Sequence, residues 1–205
     1  MSELMLEHDV RKDRILEAAL HEFASKGYYK ASTNVIVKEA EVSKGLLFHY
    51  YKSKKDLFIT IYERAYKIIL NEIFEHVNFS NRDVLWRLEV ATIERVNAHR
   101  KHQLLTQFFI TNERIQRDGI SEDIAVIRNQ YVEEFYQKMF NDIDYYLFKE
   151  QINLNDALQV IKYTIDRILA DYEKKYVNML NPENLERLSK HLHHYLTFFK
   201  DAFYR

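Results

Sequence analysis

An all-α protein is the fold class this sequence predicts, on three observations. The chain of 205 residues holds only three glycines and one proline, where ordinary usage would give roughly 14 and 10. Hairpins and tight turns draw on both residue types, and long helices on neither. Apolar side chains recur at helical spacing over long windows, and turn-forming clusters are few and short. With 47% hydrophobic and 30% charged residues, the chain has enough apolar surface to build a core, which argues against disorder.

The first helix is expected from Arg11 to Lys26, where Ile15, Leu16, Ala19, Leu20 and Phe23 share a side and Gly27 supplies the stop. Ser32 or Thr33 can cap a short second helix with Val35, Ile36 and Ala40 as its apolar side. Glu41 and Val42 make a brief turn. Ser43 caps a third short helix ending near Tyr51, and Ser53 caps a fourth that starts at Lys54 and meets no breaker before Asn78. A polar group from Asn78 to Asp83 precedes a helix holding Trp86, Val90 and Ile93. Further helices are expected from His99 to Arg117, from Ser121 to Leu147 and, capped by Asn153 or Asn155, up to Val177. Asn181-Pro182 opens the last, because proline suits a first turn. About nine helices result, with no internal repeat.

Several function classes fall away. There is no cysteine, so neither a disulfide framework nor thiolate chemistry is expected. The N-terminal MSELMLEHDVRKDR lacks the apolar core of a signal peptide, and nowhere do 18 apolar residues run uninterrupted. A cytoplasmic protein with no membrane partner is the expectation. No H-E-x-x-H, Walker loop or G-x-G-x-x-G is present, so neither enzyme nor cofactor is expected. Asp142 and Asp144 form a single D-x-D, better read as helix surface than as a magnesium pair. His191, His193 and His194, with His99 and His102, raise a metal-sensing alternative, since His191 and His194 share a helical face. No cysteine accompanies them and no carboxylate stands at a matching spacing, so no metal is expected.

What remains is a local charge. The run "SKGLLFHYYKSKKDLF", Ser43 to Phe58, holds Lys44, Lys52, Lys54 and Lys55 among aromatic residues, and between Val42 and Lys55 there is no acid, in a chain of net charge −1. Two short helices joined by a tight turn form a helix-turn-helix, which leads its second helix into the major groove of DNA. Val42 and Leu47 would face inward, while Lys44, Gly45, Leu46, Phe48 and His49 face outward with Tyr50 at the rim. Lysines suit a sugar-phosphate backbone, and aromatic rings suit sugars and thymine methyls. Gly45 would let the backbone approach a duplex closely.

These residues resemble a known family. RILEAALHEFASKGYYKASTNVIVKEAEVSKGLLFHYYKSKKDLF, Arg14 to Phe58, is similar to the N-terminal DNA-binding domain of TetR-family transcriptional regulators. The first-helix pattern, the V-S-K-G opening of the third helix and the HYYKSKKDL entry to the fourth carry the likeness. It implies a phosphate contact at Thr33, recognition-helix contacts at Ser43, Lys44, Gly45, Leu46, His49 and Tyr50, and a second phosphate contact at Lys54. Two positions depart from the family pattern. Glu41 stands where the turn usually has glycine, and Phe48 stands where tyrosine is frequent.

The resemblance also implies an organisation: an N-terminal arm over 1–10, a helix-turn-helix domain over 11–58 with its motif at about 33–52, and a ligand-binding and dimerisation domain over 59–205. A three-helix head would be joined by a connecting fourth helix to a helical regulatory body. The expected function is a repressor that binds a near-palindromic operator as a homodimer and is released by a small-molecule effector, apolar or aromatic. Ligand-binding bundles without DNA binding are the alternative from another class. Trp86, Phe108, Tyr131 and Tyr163 are the candidate walls of an effector site, with Gln107 and Asn112 as polar anchors. Stripes on the last two helices, Ile161, Ile165, Ile168 and Tyr172 with Leu188, Leu192, Tyr195 and Phe199, are the candidate dimer interface.

Overall fold

The computed structural model describes residues 10–112, 115, 119–175 and 182–205, with backbone alone for 172–175. Among these residues nine α-helices run in chain order: α1 Val10–Lys30, α2 Thr33–Glu39, α3 Lys44–Tyr50, α4 Lys54–His76, α5 Val84–Lys101, α6 Gln103–Asn112, α7 Ile120–Phe140, α8 Leu154–Lys175 and α9 Pro182–Phe203. A single 3-10 turn, Tyr145–Leu147, lies between α7 and α8. Among the described residues there is no strand, only an isolated bridge between Phe148 and Tyr204. The fold is all-α.

Packing divides the chain into two compact units, one of residues up to 69 with 99–131, the other of 70–98 with 132–205. This differs from the boundary read at residue 58, because α1 packs against α6 as well as α2. In the first unit Ile15, Leu16, Phe23, Ile36, Leu47, Leu57, Phe58, Ile61, Leu105 and Phe108 form a fully buried core. Gly27, at φ 72° and ψ 165°, breaks α1 at the expected stop, but the helix resumes beyond it to Lys30. Thr111 Oγ1 donates to Ala24 O at 2.7 Å and Asn112 Nδ2 to Phe23 O at 3.1 Å, so the carbonyls before the break find donors on α6.

The second unit buries Ile161, Ile165 and Ile168 of α8 and Leu185, Leu188, Leu192, Leu196 and Phe199 of α9, which pack together. Arg87, 1% exposed, is its polar centre. Its guanidinium donates to the carbonyls of Asn81 (2.6 Å), Phe79 (2.8 Å), Met139 (3.1 Å), Asn141 (2.6 Å) and Asp142 (3.4 Å). Burial holds this guanidinium below its ordinary pKa.

Two helix boundaries differ from expectation. The helix expected from His99 is split, with α5 ending at Lys101 and α6 starting at Gln103. Thr106 Oγ1 donates to His99 O at 2.8 Å and lies 3.1 Å from His99 Nδ1, a side-chain substitute for a helical bond. The helix expected to reach Leu147 ends at Phe140, because Asp142 turns left-handed at φ 49° and Arg87 takes the carbonyls on either side. The carboxylates of the D-x-D are structural. Asp142 pairs with Arg82 at 2.9 Å, and Asp144 caps the 3-10 turn.

Candidate nucleic-acid interface

The interface is built on α2 and α3. Ser43 caps α3 by accepting the Leu46 N–H at 3.1 Å, and Leu47 anchors the helix at 0% exposure. In the turn before it, Glu41 adopts φ 52°, the conformation that the family's glycine favours. Arg14 on α1 holds the Glu41 carboxylate at 3.1 Å, a charge pair that glycine could not make. Lys44 Nζ donates to Asn34 Oδ1 at 3.0 Å and so ties α3 to α2.

With Leu47 pointing inward and about 100° per residue, Gly45 and His49 lie on the opposite, exposed side of α3. Leu46 and Phe48 flank them. A Cβ added at Gly45 would meet only Ser43 Oγ, at 3.8 Å, so nothing inside the protein requires glycine there. The His49 ring stands edge-on to Tyr50, with centroids 5.6 Å apart. Thr33 is half-buried as the first residue of α2, whose N-cap Ser32 makes no side-chain cap bond.

The lysines divide into two sorts. Lys52 is exposed, and its main-chain N–H donates to Asp56 Oδ2 at 2.8 Å while Ser53 Oγ accepts the Asp56 N–H at 3.0 Å, a reciprocal cap on α4. Lys54, expected at a phosphate, is instead turned inward. Its ammonium donates to Ala31 O at 3.1 Å and Tyr29 O at 3.4 Å and lies 4.7 Å from the centre of the Tyr28 ring. Burial lowers its pKa. The reason is local: α1 ends in carbonyls without helical partners, and Lys54 is the cation beside them. Lys55 pairs with Asp123 at 2.5 Å and donates to Gly119 O at 3.2 Å, and that hydrogen bond with Asp123 raises its pKa.

Residues 15–61 match the family model described as "Bacterial regulatory proteins, tetR family". Over these residues the head is that of the TetR family. An uncharacterised helix-turn-helix regulator of Bacillus subtilis, YhgD, is 28% identical over 168 residues, covering 81% of this chain and 86% of its own. Another from the same organism, YuxN, is 39% identical over 61 residues, and the match spans 28% of this chain but only 21% of YuxN. The solved transcriptional regulator FadR from Bacillus subtilis, in complex with stearoyl-CoA, superposes with a TM-score of 0.58 at 21% identity, covering 86% of this chain and 96% of its own. The TetR-family head thus accompanies an all-helical fold of the same kind over most of the chain.

The effector candidates divide between the two compact units. Trp86 and Tyr163 belong to one compact unit, Gln107, Phe108, Asn112 and Tyr131 to the other. Tyr163 is 64% exposed on α8, where it lines an open cleft with Ile168, His191 and Tyr195. Asn112 is buried and fully committed, donating to Phe23 O and Phe108 O and accepting from Tyr28 N. Gln107 is exposed and donates to Thr111. Phe108 is core, 5.3 Å from Phe58. Tyr131 stacks on Tyr66 at 5.6 Å, and Tyr66 stands edge-on to Phe109 at 5.0 Å. Phe109 of α6, with Tyr62 and Tyr66 of α4, which the sequence reading passed over, extends this aromatic group. The four-residue spacing of Tyr62 and Tyr66 on α4 was the available signal.

The dimer candidates also shift. Ile161, Ile165, Ile168, Leu188, Leu192 and Phe199 are buried within the chain's own second unit, so this stripe is core rather than outer surface. Tyr195 is half-exposed, and Tyr172 lies outside the residues whose side chains are described. Among the described side chains of α8 and α9, the exposed large apolar ones are Val160, Tyr163 and Phe198. Among the described residues no three metal-ligating side chains converge, and His193 pairs with Glu89 at 2.7 Å. No helix among them is long and apolar enough to cross a membrane.

Proposed function

We propose that this DNA-binding regulator is a cytoplasmic repressor that sets two heads on a near-palindromic operator and leaves it when a small molecule binds its helical body. The observation that carries the reading is the outer side of α3, where Gly45 faces open space beside His49 and the protein itself gains nothing from the glycine. Close approach of a duplex does need it. Thr33, Ser43, Lys44, Leu46 and Tyr50 complete the contact surface, and Lys52 supplies the phosphate charge in place of Lys54. DNA binding is assigned to residues 11–58, and effector binding and dimerisation to 59–205.

One short recognition helix spans too few base pairs to select a site, so two heads about 34–36 Å apart are required. The homodimer forms through the exposed side of α8 and α9, around Val160, Tyr163, Tyr195 and Phe198. The effector contacts the aromatic group of Tyr62, Tyr66, Phe109 and Tyr131, which favours an apolar or aromatic molecule. The stearoyl-CoA in FadR is a relative's ligand of compatible apolar character. No reaction is assigned to the protein. Selection of bound fragments from random duplex DNA by the full-length protein tests the reading: an enriched palindrome whose binding weakens in Gly45→Val and His49→Ala supports it. Absence of any enriched sequence refutes it.

A further inference from the structure

The recognition helix carries a large apolar side chain that its own core does not enclose. Phe48 is 39% exposed, directly after the wholly buried Leu47. His49 pairs with Tyr50 and Tyr50 with Tyr51, but among the described residues Phe48 stacks on no other ring. It sits beside the Gly45–His49 side of α3, where the notional groove contact is made. Without a hydroxyl, the ring can neither donate to a phosphate nor accept from a base.

Base edges in the major groove offer donors, acceptors and a single apolar group, the C5 methyl of thymine. A phenyl ring laid on any other edge would strip water from polar atoms and return no hydrogen bond. We propose that Phe48 is a specificity-determining residue that reads thymine through its methyl group, so that each operator half-site carries a thymine facing this ring. This rests on the reading of α3 as the groove helix.

The experiment starts from the operator selected with the full-length protein. Each thymine is replaced singly by deoxyuridine, which lacks only the methyl group. At one thymine per half-site the wild type should lose about fourfold in affinity, the worth of one buried methyl. Phe48→Ala should be indifferent to that replacement, and Phe48→Leu, which keeps an apolar tip, should retain part of the sensitivity. The wild-type protein alone gives a second reading: cytosine at this position should weaken binding, and 5-methylcytosine should recover part of the loss. Equal uridine sensitivity in wild type and Phe48→Ala, with both folded by circular dichroism, would overturn the inference, because another side chain would then read the methyl. So would an operator in which no thymine methyl matters. A protein that enriches no sequence at all would overturn the groove reading itself and this inference with it.

Discussion

The side-chain oxygen of Asn112 accepts the main-chain N–H of Tyr28 at 2.8 Å, immediately past the break in α1 at Gly27. Its amide nitrogen donates to Phe23 O and Phe108 O, so one buried side chain spans both edges of the break. Asn112→Ala takes the partner from a part-buried N–H and from a buried carbonyl, each costing about 1–3 kcal/mol. A loss of about 2–4 kcal/mol is expected in urea unfolding, and a loss below about 1 kcal/mol would show that water replaces the amide.

Lys52 and Lys54 should separate in their effects. Lys52→Ala should weaken binding to all sequences alike and lower the salt slope by about one, with thermal stability unchanged. Lys54→Ala should lower the melting temperature, because the end of α1 loses its cation, and should leave the salt slope close to that of wild type. Binding titrations across a salt series decide it, and a reversed pattern would put Lys54 back on the phosphate.

Arg87 is the largest single polar commitment of the second unit. Arg87→Met keeps much of the volume but leaves the carbonyls of Phe79, Asn81, Met139 and Asn141 without their donor. A destabilisation of at least about 3 kcal/mol should follow, since hydrogen bonds to charged groups are worth about 1.5–3 kcal/mol each. Arg87→Lys should rescue little of it, because a compact ammonium cannot span carbonyls that a planar fork reaches from several nitrogens. Full rescue by lysine would contradict this account.

Charged substitutions on α8 and α9 should divide by depth. Tyr163→Glu and Phe198→Glu, both on exposed positions, should give folded monomers in sedimentation that no longer bind operator DNA. Leu192→Glu, at a site 3% exposed, should unfold the unit instead. If Leu192→Glu gave a folded monomer and Phe198→Glu a normal dimer, the interface would be elsewhere.

Local signals were legible in the sequence. Ser43, Ser53 and Asn153 cap the helices that follow them, and Gly27 breaks α1 as a residue free to take positive φ should. Glu41 departs from the family's glycine, yet it keeps the positive φ that glycine favours, at 52°. Other features depended on partners far along the chain. The end of α7 is set by Arg87, more than fifty positions earlier, and a periodicity argument has no term for it. Lysine clusters reveal a charge but not the helix-end carbonyls that Lys54 reaches. The apolar stripes of α8 and α9 were visible, yet a stripe does not say whether its own chain or a second copy covers it. Here the chain covers its strongest stripe itself.

The shared unit formed by residues up to 69 and 99–131 bears on how such a regulator can be rebuilt. Cutting the chain after α4 would leave Phe23 O and Ala24 O without the donors of Asn112 and Thr111, and would bare the side of Phe58 that Phe108 covers. A chimera that transplants this DNA-binding specificity onto a foreign sensor therefore needs the segment around α6 as part of the graft. The exchangeable piece is discontinuous in sequence, and a fusion joined at residue 58 would be expected to aggregate where one carrying both segments stays folded.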